Sequence, residues 1–62
     1  MKIVDFIRYL RTHRCVFLGE GGNHSVYINT VNNRISTVPR HKEIKNKLCM
    51  KICKDLGIPS PF

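Results

Sequence analysis

Histidines are the side chains of this 62-residue chain best suited to proton chemistry, and His24 is the most suggestively placed. It follows Gly21-Gly22-Asn23 and opens a run rich in strand formers, so rigid backbone can hold it close to the surface. An imidazole, with an unperturbed pKa of about 6.5, accepts and returns a proton near neutral pH. RNA cleavage without a metal requires that exchange, because the 2′-hydroxyl must lose a proton and the leaving 5′-oxygen must gain one. The blander reading is a strand-end histidine satisfied by hydrogen bonds. His41 stands between Arg40 and Lys42 ahead of a helix, where side-chain cations and free backbone N–H groups can meet a phosphate together. It reads as a second acid/base, a phosphate contact, or a solvated loop residue. His13, beside Arg14 at the end of a helix, reads as a cap complementing the helix dipole.

Lys47, Lys51 and Lys54 are spaced by four and three, which places them on one helical face. Such a stripe tracks a phosphate backbone or forms the solvated side of a small basic helix. Arg34, Arg40, Lys42 and Lys45 extend the positive surface toward His24 and His41 if the third strand lies beside the second. Tyr27 is either a base-stacking residue on an open sheet face or ordinary packing. Cys49 and Cys53, one turn apart, lack the paired short spacings of a zinc site and behave as small hydrophobes beside an apolar stripe. Asp5, Glu20, Glu43 and Asp55 are too scattered for a two-metal cluster, and no phosphate-binding glycine fingerprint leads from strand to helix. No metal and no cofactor is expected.

The elements that must position these residues follow from periodicity. Ile3, Phe6, Ile7 and Leu10 recur at i, i+3, i+4 and i+7, predicting a helix from Lys2 to about His13. Cys15 to Leu18 reads as a strand ending at Gly19-Glu20-Gly21-Gly22, a tight connection. His24 to Val31 reads as a second strand, Asn32-Asn33 as a hairpin turn, and Arg34 to Val38 as the returning strand, stopped by Pro39. Ile44, Leu48, Ile52 and Leu56 then predict a second amphipathic helix with Gly57 as its stop, followed by a Pro-containing tail, 58–62. The fold class is α+β, in the order αβββα. Two helices on one face of a three-stranded antiparallel sheet bury both stripes and leave the other face to water. On a regular strand His24 shares a side with Val26 and Ile28, opposite Tyr27. It therefore lies at the rim of the packed face or is re-aimed by a bulge near the glycines.

A chain of this length makes one domain, residues 1–62, burying only roughly 60% of the surface its unfolded form exposes. Eleven Lys and Arg against four Asp and Glu give a net charge of +7, a field that favours nucleic acid or an acidic protein. Asp5 and Arg8 interrupt any apolar N-terminal run, so neither a secretory signal nor a membrane span is expected. An odd count of three cysteines without such a signal suggests reduced thiols and a cytoplasmic location.

Taken in order and spacing, these residues resemble the HicA toxins over nearly the whole chain. The resemblance is carried by the amphipathic N-terminal helix, the turn Gly22-Asn23-His24, the hairpin ending Thr37-Val38-Pro39-Arg40-His41, and the helix closing at Leu56-Gly57-Ile58. It implies a fold similar to double-stranded-RNA-binding domains and the activity of an mRNA interferase, a toxin that cleaves messenger RNA and inhibits translation. It also implies that His24 acts as general acid/base, since the family's catalytic histidine follows a Gly-Ser pair. Its implied partners are mRNA and a HicB-type antitoxin, with operator DNA reached only through the antitoxin complex. Asn23 stands where the family usually has serine, and Glu20 brings a carboxylate that would repel a scissile phosphate. Lys42, Lys45, Arg40, His41, Lys47, Lys51 and Arg34 are the candidate RNA contacts. A non-catalytic RNA-binding module using the same basic surface is the alternative, separated from the enzyme by RNA that is bound but stays uncut. An adaptor meeting only an acidic protein would show no RNA affinity at moderate salt.

Overall fold

The computed structural model describes residues 1–62 and has the order α1 (Ile3–Thr12), β1 (Cys15–Gly21), β2 (His24–Asn29), β3 (Ile35–Pro39) and α2 (Asn46–Leu56). The strands form one antiparallel sheet in the order β1-β2-β3, so the expected αβββα architecture is present. No helix is long and apolar enough to cross a membrane.

The i, i+3, i+4 stripe of α1 puts Phe6 and Leu10 fully inside, and burying one such side chain stabilises the fold by roughly 1.5–3 kcal/mol. Both pack with Cys15, Tyr27 and Val38 from the sheet and with Cys49, Ile52, Cys53 and Leu56 from α2 in a single core. The sheet face toward the helices therefore carries Ser25, Tyr27 and Asn29 of β2, and the opposite face carries His24, Val26 and Ile28. Tyr27, considered as a stacking residue on the open face, instead lies under the helices with 7% of its surface exposed. Strand alternation forces this once His24 takes the solvent side.

Three boundaries move by more than one residue from their predicted places: the end of β1, the end of β2, which stops at Asn29 where Val31 was expected, and the start of α2. β1 runs on through Gly19 and Gly21, which pair with Val26 and His24, so the connection shrinks to Gly22-Asn23. The register shifts between Phe17 and Gly19, placing the irregularity in β1, while β2 pairs regularly with β3. The second helix starts at Asn46, and its buried face is Cys49, Ile52, Cys53 and Leu56. Leu48 is 37% exposed, outside the stripe it was expected to join. Ile44 is still buried, but from a loop whose backbone docks on the start of the chain through the Lys2–Glu43 bridge.

Both helices run from one end of the sheet to the other. α1 begins where Ile3 N–H donates to the Lys42 carbonyl, close to the start of α2. At the far end the Arg14 carbonyl accepts from Thr30, and the Leu56 carbonyl accepts from the amides of Asn29 and Asn32. Gly57, at φ 73°, closes α2 in the left-handed conformation, with Gly57 N–H bonded to Lys54 and Ile58 N–H to Cys53. The tail beyond is tied down where the Tyr9 hydroxyl donates to the Pro59 carbonyl.

Candidate nucleic-acid interface

His24 opens β2 beside the Gly22-Asn23 turn, paired with Gly21 on one side and Pro39 on the other. Its side chain is exposed on the face without helices, held by strands on both flanks. No bulge is needed to aim it, and it does not belong to the packed face. Gly22 takes φ 63°, a backbone state open to glycine at little cost, and this is what lets so short a turn return the chain into β2.

Arg40 follows β3 directly and reaches back across this end of the sheet. One guanidinium nitrogen lies 3.1 Å from the Gly22 carbonyl and 3.4 Å from that of His24, and the side chain also pairs with Glu20. The carboxylate is thus partly neutralised by its neighbour instead of standing alone beside the turn. His41 shares a surface recess with Asn23 and Arg40, and Lys42 and Lys45 lie on the same exposed loop leading to α2. His24, Arg40, His41, Lys42 and Lys45 are therefore gathered at one end of the sheet.

The remaining predicted contacts are elsewhere. Arg34 precedes β3 at the opposite end, about 20 Å from Arg40 along a strand rising ~3.3 Å per residue. Its guanidinium donates to the Lys54 carbonyl at 3.0 Å, so it closes α2. Lys47 and Lys51 are exposed on α2, across the sheet from His24. Lys51 pairs with Asp55 at 3.2 Å, and that bond, with further help from Ser36 and Arg34, holds the Asp55 carboxyl below the usual carboxylate range.

A cleft of about 270 Å³ opens on the helix side of the same end, between α1, β2, β3 and the 40–42 loop. Ile3, Ile7 and Val38 form its apolar wall. Ser25 and Tyr27 line it from β2, and Arg40, His41 and Lys42 stand along its rim. Sequence reasoning singled out Tyr27 for its ring, as a stacking residue on the open face or as packing, and missed Ser25. The signal was available in strand parity, since Ser25 must share the face of Tyr27.

The cysteines offer no competing chemistry. Cys15, Cys49 and Cys53 are free and buried, and desolvation raises all three thiols, Cys53 to about 11 with Cys49 and Cys15 as close neighbours. Thiolates are scarce at neutral pH under those conditions. No three His, Cys, Asp or Glu side chains are grouped to hold a metal ion.

Comparison with known proteins adds one finding. The model of a family described as a HicA toxin of bacterial toxin-antitoxin matches residues 4–58. No curated protein and no solved structure matches the chain.

Proposed function

This chain belongs to the HicA toxin family, and from that membership together with the geometry of the sheet end we propose that it is a metal-independent endoribonuclease acting on messenger RNA through His24. The observation carrying the reading is an imidazole that is solvent-facing yet fixed between two paired strands, at the end where Arg40, His41, Lys42 and Lys45 collect. His24 takes the proton of a 2′-hydroxyl as that oxygen attacks the adjacent phosphorus in line with the 5′-oxygen. The 5′-oxygen leaves with a proton from solvent or from His41, the other imidazole at this end. The products are a 2′,3′-cyclic phosphate and a 5′-hydroxyl.

The cations serve placement and charge. Arg40, Lys42 and Lys45 offset the charge of the phosphates flanking the cut, and the net charge of +7 draws the polyanion in. Lys47 and Lys51 prolong the basic surface along α2. Arg34 contributes to helix closure and has no part in this reading. As a toxin of a toxin–antitoxin pair, the protein is countered by a partner. A HicB-type antitoxin with an acidic face would cover His24 and its cations, and operator DNA would be met only through that complex.

Replacing His24 with Ala tests the assignment. The side chain is exposed, so the variant should melt as the parent does, within about 0.5 kcal/mol, while RNA cleavage and growth inhibition disappear. Cleavage by the parent should persist with a chelator present. A fully toxic H24A variant removes His24 from the mechanism. RNA retained by the parent but never cut would leave a binding module instead.

A further inference from the structure

We propose that the helix-side cleft is a second binding site, one that seats a single unpaired nucleotide of the RNA strand next to the link cut at His24. The inference rests on the ribonuclease reading above but on a different set of atoms. Tyr27 is more than nine-tenths buried, its ring is held edge-on by Phe17 at 5.9 Å between centroids, and its hydroxyl bonds to nothing in the protein. No buried polar atom of the chain lacks a partner, so that hydroxyl meets solvent, and the residue lines the cleft. The Ser25 hydroxyl, two residues earlier on the same face, likewise has no partner within the chain.

A solvent-facing hydroxyl on a rigid, largely buried ring bonds to water at a fixed position, and a ligand group that presents a matching donor or acceptor can take that water's place. The recess offers an apolar wall, chiefly from the half-buried Ile3 and Ile7, two hydroxyls that donate or accept, and a cationic rim from Arg40, His41 and Lys42. This matches a nucleotide part by part: the base lies on the wall, its polar edge bonds the hydroxyls, and its phosphate meets the rim. At about 270 Å³ the cleft is just below the roughly 300–1,000 Å³ of small-molecule sites, so it can seat a base with the sugar and phosphate at its mouth, beside the cationic rim. Arg40 touches the carbonyls of Gly22 and His24 and also lines the cleft, so it stands between the two places. An RNA strand crossing the sheet end over Arg40 would put adjoining nucleotides at His24 and in the cleft.

The test uses a fluorescent 2′-O-methyl RNA oligonucleotide, which lacks the attacking hydroxyl and reports binding alone. A Tyr27→Phe, Ser25→Ala double variant keeps the ring and the core and should melt like the parent. Its affinity for the probe should fall about fivefold to tenfold, the loss expected for two hydrogen bonds. Cleavage of unmodified RNA should fall by that factor below saturation and recover at saturating RNA. In NMR, a nucleoside 5′-monophosphate should shift the methyls of Ile3, Ile7 and Val38, whereas inorganic phosphate should not. A folded double variant binding within twofold of the parent overturns the proposal, as does a parent that fails to bind the probe at moderate salt. If the parent binds but never cuts, and the double variant still binds weakly, the ribonuclease reading fails and the nucleotide site stands.

Discussion

The guanidinium of Arg40 lies 3.4 Å from the main-chain carbonyl of His24, so the last residue leaving β3 anchors the first residue of β2. A second contact from the same nitrogen to Gly22 fixes the turn preceding it. The position of the imidazole therefore depends on a side chain that need not touch the RNA at the cut.

Removing that anchor should show in turnover more than in stability. Arg40→Ala is expected to slow single-turnover cleavage at saturating RNA by about tenfold, because small misplacements of a reacting group are expensive. Its effect on stability should stay below about 1 kcal/mol, as Arg40 is exposed. Arg40→Lys should recover probe affinity better than rate, since an ammonium keeps the charge without the planar donor fork. Equal recovery of both would assign Arg40 to charge alone.

Glu20 also pairs with Arg40, and under the proposed reading its carboxylate would face the incoming polyanion. Glu20→Gln should tighten binding of the 2′-O-methyl probe about twofold to fivefold at low salt, the scale of an exposed ion pair, with the gain shrinking as salt rises. Unchanged affinity at every salt concentration would mean that RNA approaches by another route.

At the opposite end, Gly57 has a positive φ, and a side chain there would push aside the Asn32 and Arg34 side chains that donate to the end of α2. A Cβ there would sit 2.8 Å from the Asn32 amide nitrogen and 3.0 Å from the Arg34 guanidinium. Gly57→Ala should cost about 1–2 kcal/mol, seen as a melting temperature lower by roughly 5–15 °C for a domain of this size, with probe affinity for the folded fraction unaltered.

Alkaline pH gives a separate check on the core. Cys53 is raised in the folded protein from its ordinary value of 9.0 to about 11, chiefly by burial and then by Cys49 and Cys15. Its contribution to stability is complete below pH 9.0 and is lost as pH rises toward about 11, because the unfolded chain gives up the proton first. The melting temperature should drop across that interval, and Cys53→Ala should flatten the drop from a lower starting point. A flat parent profile would show that the thiol is not desolvated.

Much of this arrangement was legible from residue types. The four apolar positions of α1 predicted its span to within a residue at each end, and Gly57 marked the end of α2 because left-handed closure favours glycine. The start of α2 was not legible: Ile44 fits the four-residue repeat, yet it is buried from a loop. Periodicity does not distinguish a helical turn from an extended segment docked on a neighbour. The glycines after Leu18 read as a loop, but ladder pairing with Val26 and His24 outweighs their weak strand preference. Within the site, types and spacing pointed to His24, Arg40, His41, Lys42 and Lys45. Arg34 carried the same charge signature, and only the direction of β3 shows that it faces the other end. Tyr27 was named for its ring alone and Ser25 was not named, because two hydroxyls on a strand announce nothing until the packed face is known.

The two ends of the sheet are fastened by different means. Asn29, Asn32 and Arg34 all donate to the last carbonyls of α2, whereas residues 42–44 are held to residues 1–3 by main-chain bonds and neither helix has a side-chain cap where it begins. Truncating Asn29 or Asn32 should accordingly speed amide exchange at the close of α2 and leave that of Ile3 and Ile44 unchanged. One margin is clasped by side chains that mutation can remove, while the other is stitched through the backbone and leaves its own side chains free for a visiting strand.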